Sequence, residues 1–159
     1  MSEMPQEGRP APEFALPAHG GDVVGLGDFR GRKHVILFFY PKDDTSGCTR
    51  EACDFRDAYG ELERRDVAVL GVSKDPLDSH RSFASKHGLP FPLLSDAGTD
   101  VAERYGVWRE SRRYGRTSKG IERTTFLIDK QGILRRVFPK VQVAGHVAEI
   151  TAAVDELEG

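Results

Sequence analysis

The sequence predicts an α/β fold in which helices flank a central mixed β-sheet, and three observations carry that prediction. Two runs, Val35-Ile36-Leu37-Phe38-Phe39-Tyr40 and Val67-Ala68-Val69-Leu70-Gly71-Val72, are apolar almost throughout, as strands covered on both faces are. Each is followed by a segment with helical character. Near the C-terminus, Arg123-Thr124-Thr125-Phe126-Leu127-Ile128, an Asp129-Lys130-Gln131-Gly132 turn and Ile133 to Phe138 read as an antiparallel hairpin.

The elements follow in order. Residues 1–12 are polar and Pro-containing and read as a loose, extended lead-in. Phe14-Ala15-Leu16 and Val23-Val24 flank a Gly20-Gly21-Asp22 turn, a small hairpin. The strand at 34–40 comes next, then a Pro-, Asp- and Gly-containing turn and a helix from Cys48 onward. In that helix Phe55, Tyr59 and Leu62 recur at helical spacing, and it ends near Arg65-Asp66. After the strand at 67–72, Asp78 is a candidate cap for a helix over 79–87, with Gly88 as its stop. Phe91-Pro92-Leu93-Leu94 is a short strand at most, because proline blocks central ladder pairing. Residues 100–105 suggest a short helix, and 109–123, rich in arginine, a solvated loop. A last helix at 146–158 carries Val147, Ile150, Val154 and Leu157 on one side. The order β-α-β-α, β-hairpin, helix is a thioredoxin-like topology.

The 159 residues suit a single domain over the whole chain. Charge is nearly balanced, with 23 Lys+Arg against 25 Asp+Glu, so nothing in it calls for nucleic acid or an acidic membrane. No run approaches the roughly 18 apolar residues of a membrane span. The N-terminus lacks the pattern of a signal peptide, which points to the cytoplasm. Two cysteines in a reducing compartment suggest catalysis or redox chemistry before a structural staple.

Those two cysteines, Cys48 and Cys53, are five residues apart. Cys48 falls at or near a helix start, where free backbone N–H groups and the helix dipole favour negative charge. The thiolate is the reactive form of cysteine. Other readings are an inert buried pair or a zinc site. A zinc site lacks a second ligand pair of convincing spacing, an iron–sulfur cluster lacks two more thiolates, and Cys-x-x-Cys is absent. The five histidines are scattered and read as surface or capping residues; Trp108 and Phe83 read as core.

The segment from Tyr40 to Thr49 resembles the Pro-x-x-x-Thr-x-x-Cys loop of the peroxiredoxins. Cys53 with Phe55-Arg56-Asp57, the block Gly120 to Asp129 and Gly145-His146-Val147 resemble the subgroup called PrxQ or bacterioferritin comigratory protein. The resemblance runs from about residue 8 to the end. It implies a thiol peroxidase for hydrogen peroxide and organic hydroperoxides, without a cofactor or metal, recycled by thioredoxin or a similar dithiol protein. It further implies that Cys48 is the peroxidatic and Cys53 the resolving cysteine. Thr45 and Arg123 then hold thiolate and peroxide, and Pro41 shields the site. Ser46 departs from the pattern, standing where proline often precedes Gly-Cys.

If 48–53 is one helix, the two Cα atoms are roughly 8–9 Å apart. A disulfide needs them within about 7 Å, so the helix start must unwind before the bond can close. A resolving cysteine on the same chain predicts a monomer. The rival reading is a peroxide-sensing relay that uses the same switch to pass oxidation to a partner. The alternative to a solvated loop at 109–123 is a basic surface that docks an acidic reductase beside the active site.

Overall fold

A computed structural model of the chain describes residues 3–158. Its centre is a five-stranded sheet of β3 (His34–Phe39), β4 (Val67–Ser73), β5 (Leu93–Ser95), β8 (Thr124–Ile128) and β9 (Leu134–Phe138). The strand order is β5-β4-β3-β8-β9. β3 pairs parallel with β4 and antiparallel with β8, so the sheet is mixed. Two short pairs lie outside it, β1 (Ala15–Pro17) with β2 (Val23–Gly25) and β6 (Trp108–Arg113) with β7 (Arg116–Ile121).

Alternation along β3 divides the core. Ile36, Phe38 and Tyr40 face α1 (Ser46–Arg64), α2 (Leu77–His87) and α4 (His146–Glu158). Val35, Leu37 and Phe39 face the N-terminal segment and α3 (Asp100–Arg104). Strands buried on both sides lose the period-two polar signal, which is why these runs are apolar throughout. Phe38 stacks on Phe55 of α1 with ring centroids 4.7 Å apart. The pair has room because Gly71 lies beside Phe38 on β4; a Cβ there would come within 2.8 Å of the Phe38 ring. That contact seats α1, and with it Cys48, on the sheet.

The lead-in is extended but tied down. Gly8 and Ala11 donate backbone hydrogen bonds to Leu134 and Gly132, and the Glu7 carboxylate accepts from the Val137 N–H. The hairpin turn between β8 and β9 is held by Asp129, whose Oδ1 accepts the N–H groups of Gln131 and Ile133.

Three expectations are corrected. First, α2 starts at Leu77, with Pro76 as its extended N-cap residue and no side-chain cap. Asp78 instead lies in the first turn, where its charge complements the helix dipole and pairs with Arg81. Gly88 does end the helix, in the left-handed conformation. Second, the arginine-rich stretch is the β6–β7 ribbon and not a loop. Its turn residues Tyr114 and Gly115 both have positive φ, the signature of a tight hairpin turn. With polar residues at most positions, it lacks the alternation that marks a strand in sequence. Trp108, at its base, is partly buried against the core, with the Lys74 ammonium 5.5 Å from its ring centre. Third, His34, His80 and His146 are buried. His146 joins α4 to the sheet through Thr125 Oγ1 (2.8 Å) and packs edge-on against Phe55 and Phe138.

Candidate active site

The site forms where β3 and β8 meet α1. β3 ends at Phe39, Tyr40 follows, and residues 41–45 turn the chain into α1. Thr45 is the N-cap residue, extended at φ −90° and ψ 157°, and its carbonyl accepts the Thr49 N–H at 2.8 Å. Cys48 therefore sits in the first turn, among N–H groups without helical partners. It is 1% exposed, while Cys53, further along α1, is partly exposed.

Arg123 reaches this turn from the residue just before β8, on the face of the sheet that α1 covers. Thr124 pairs with Phe39, which places the residue just before β8 beside the end of β3. One guanidinium nitrogen, Nη2, donates to Cys48 Sγ at 3.2 Å, and Nη1 donates to Glu51 Oε1 at 2.7 Å. Gly47 leaves room for this approach, since a Cβ there would lie 3.2 Å from Nη2, a tight contact that the guanidinium would have to yield to. Burial works against the charge of Arg123, but Glu51 and the sulfur more than offset it, and its pKa is raised. The result is a fixed cation with a donor aimed at the sulfur.

Glu51 was not singled out from the sequence. It is fully buried, and its Oε2 lacks a hydrogen-bond partner. Burial pushes its pKa up to about 7 against the opposing pull of Arg123. The available signal was its spacing, three residues after Cys48 on the same helix face.

The remaining predicted residues lie in the loop. Thr45 is exposed, and its hydroxyl donates to the Lys42 carbonyl at 2.9 Å, which leaves the oxygen lone pairs available as acceptors. Pro41 is exposed at the head of the loop. Asp43, by contrast, is buried and accepts from Tyr40 Oη (2.5 Å), Ser79 Oγ (2.7 Å) and His80 Nδ1 (2.7 Å). Burial works to raise its pKa, but these hydrogen bonds outweigh it and hold the carboxyl below its ordinary value. Tyr40 is held well above the ordinary phenol range, chiefly by burial and then by the Asp43 charge, and so remains a donor.

Both cysteines belong to α1, so the helical spacing that forbids a disulfide holds in this conformation. No helix among the described residues is long and apolar enough to cross a membrane.

Residues 8–137 match the model of the AhpC/TSA family. A putative peroxiredoxin bcp of Coxiella burnetii is 54% identical over 143 residues, spanning 90% of this chain and 94% of that protein. Peroxiredoxin Bcp of Bacillus subtilis is 44% identical over 150 residues, 94% of this chain and 95% of that one. Among solved structures, the Xanthomonas campestris bacterioferritin comigratory protein, studied for alkyl peroxide reduction, superposes with a TM-score of 0.88. It is 36% identical and covers 92% of both chains.

Proposed function

The chain belongs to the AhpC/TSA family and is a peroxiredoxin of the Bcp/PrxQ kind, a thiol-dependent peroxidase; from that premise we propose the roles of its residues. Cys48 is the peroxidatic cysteine. Its thiolate attacks the distal oxygen of the peroxide, the O–O bond breaks, and the other oxygen leaves with a proton as water or alcohol. Cys48 is then a sulfenic acid. Arg123 contributes the positive charge and the directed donor, and Thr45 with the free N–H groups of the first turn supplies further contacts to the peroxide oxygens as the bond stretches. Pro41 shields the loop entrance.

Cys53 resolves the intermediate. Its sulfur attacks Cys48, the hydroxyl leaves as water, and a disulfide forms. Two electrons and two protons from thioredoxin or a similar dithiol protein return both thiols. Hydrogen peroxide and organic hydroperoxides are the substrates, and the chain works as a cytoplasmic monomer of one domain that uses neither cofactor nor metal and binds neither nucleic acid nor membrane.

The observation that carries this reading is the 3.2 Å contact between Arg123 Nη2 and Cys48 Sγ at the first turn of α1. The test is peroxide consumption with thioredoxin and its reductase. Cys48→Ser is expected to abolish turnover with every peroxide. Substantial residual turnover would make Cys53 the nucleophile.

A further inference from the structure

His80 lies outside the machinery just described, yet it holds the loop that builds that machinery. The ring is fully buried on α2. Nδ1 is 2.7 Å from Asp43 Oδ2, and Nε2 is 3.0 Å from the Leu94 carbonyl oxygen. A carbonyl can only accept, and so can an ionised carboxylate. Both ring nitrogens thus face acceptors, an arrangement satisfied in full by a ring that carries a hydrogen on each, the imidazolium. A buried cation survives only with a partner, and Asp43 provides it at close range.

The surroundings fit a charged pair. Tyr40 at the end of β3 and Ser79 on α2 donate to the Asp43 carboxylate. The Asp43 backbone N–H donates to Asp75 Oδ2 at 2.9 Å, and the same oxygen accepts from Ser73 Oγ at 2.6 Å. His19, in the β1–β2 turn, has its pKa lowered by burial first and then by the charge of His80. Arg81, the neighbour of His80 on α2, adds a second cation. Asp43, Asp75 and His80 could be mistaken for cation ligands, but the 2.7 Å separation of Nδ1 and Oδ2 is a hydrogen-bond length and leaves no space for an ion.

What the pair fixes is the loop. Asp43 is gripped by both backbone and side chain, and Thr45 stands two residues on. Asp44, between them, takes a left-handed conformation at φ 59° and reaches Lys86 (2.8 Å) and His87 (3.3 Å), also on α2. Those outer contacts are solvated and contribute little, so the inner pair carries the grip.

We propose that His80 is a positioning residue, a buried cation on α2 that locks the peroxide-binding loop through Asp43 and so sets Thr45 and the first turn of α1 for attack. The proposal rests on the peroxidase reading given above. It predicts opposite effects on two steps. Loosening the loop misplaces the groups that meet the peroxide, whereas it eases the unwinding that the disulfide requires.

The test combines nitrogen NMR on the unaltered, reduced protein with rapid-quench kinetics on two variants. At neutral pH both His80 ring nitrogens should show the shifts of N–H groups; a ring with one hydrogen overturns the proposal whether or not any variant folds. In His80→Gln and Asp43→Asn, oxidation of Cys48 by hydrogen peroxide should slow by at least about tenfold, while closure of the Cys48–Cys53 bond quickens. Oxidation as fast as in the parent, or loss of both rates together, would overturn it. A parent Cys48 that ignores peroxide would instead sink the functional assignment itself.

Discussion

Arg123 divides one guanidinium between Cys48 and Glu51, and the division has two measurable consequences. Arg123→Lys keeps the charge, but a single ammonium cannot hold both partners in the forked geometry, so peroxide kcat/KM should fall by about tenfold or more. Equal rates would reduce Arg123 to a source of charge. Glu51 gives a pH signature. Its folded pKa, about 7, lies above the ordinary 4.5, so between those values the folded chain binds the extra proton. Stability from this group is fully present below about pH 4.5 and is lost as pH rises toward 7. Glu51→Gln copies the protonated form and should escape that loss. In calorimetry, its melting temperature relative to the parent should climb through this window; a constant offset would contradict the assignment. Cys48 could be picked out from its place at a helix start, whereas Thr45 and Arg123 stood out only through the resemblance to the peroxiredoxin loop and its downstream block. Neither Glu51 nor the Asp43–His80 pair was legible, since a buried carboxylate and a surface one look alike in sequence. Only the packing of β8 and α2 against the loop tells them apart.

The proposed roles require α1 to be stable enough to present Cys48 and weak enough at its start to let Cys53 reach it. Ser46 is its first residue, a position at which proline is favoured. Thr45 already has the extended backbone that a following proline demands. Ser46→Pro should therefore stabilise the fold by about 0.4–1 kcal/mol and slow closure of the disulfide, readable as a higher melting temperature with a longer-lived sulfenic acid. Faster closure would show that the helix start is not what restrains Cys53. Oxidation should also raise amide exchange across residues 46–56, and reduction should reverse it. The Cys53→Ser variant should still consume its first equivalent of peroxide, then stall as a sulfenic acid and lose thioredoxin-dependent turnover. The main strands and helices were legible from apolar runs and helical spacing. The β6–β7 ribbon was not, because a hairpin polar on most of its surface leaves no periodic signal, and its turn rests on Tyr114-Gly115.

For the whole molecule, the sheet brings residues distant in sequence to one end. Antiparallel pairing of β8 with β3 delivers Arg123 across 75 positions to Cys48, and α2 closes over the loop from above. The β-α-β-α order and the late hairpin announced that arrangement in sequence, whereas the burial of three histidines depended on tertiary contacts. In the proposed cycle both cysteines lie on one helix, so resolution calls for no second subunit. Sedimentation should give the mass of one chain in the reduced and the oxidised protein alike; dimers formed on oxidation would argue for resolution between chains. In the proposed cycle Cys48 is oxidised and Cys53 of the same chain resolves it. The most direct test is mass spectrometry of peroxide-treated protein after non-reducing trypsin digestion. Cleavage after Lys42, Arg50 and Arg56 separates the two cysteines. Peptides 43–50 and 51–56 should appear joined by a disulfide and be released by reductant. Peptide 43–50 carrying a sulfinic acid beside an unmodified 51–56, with no joined species, would contradict that cycle.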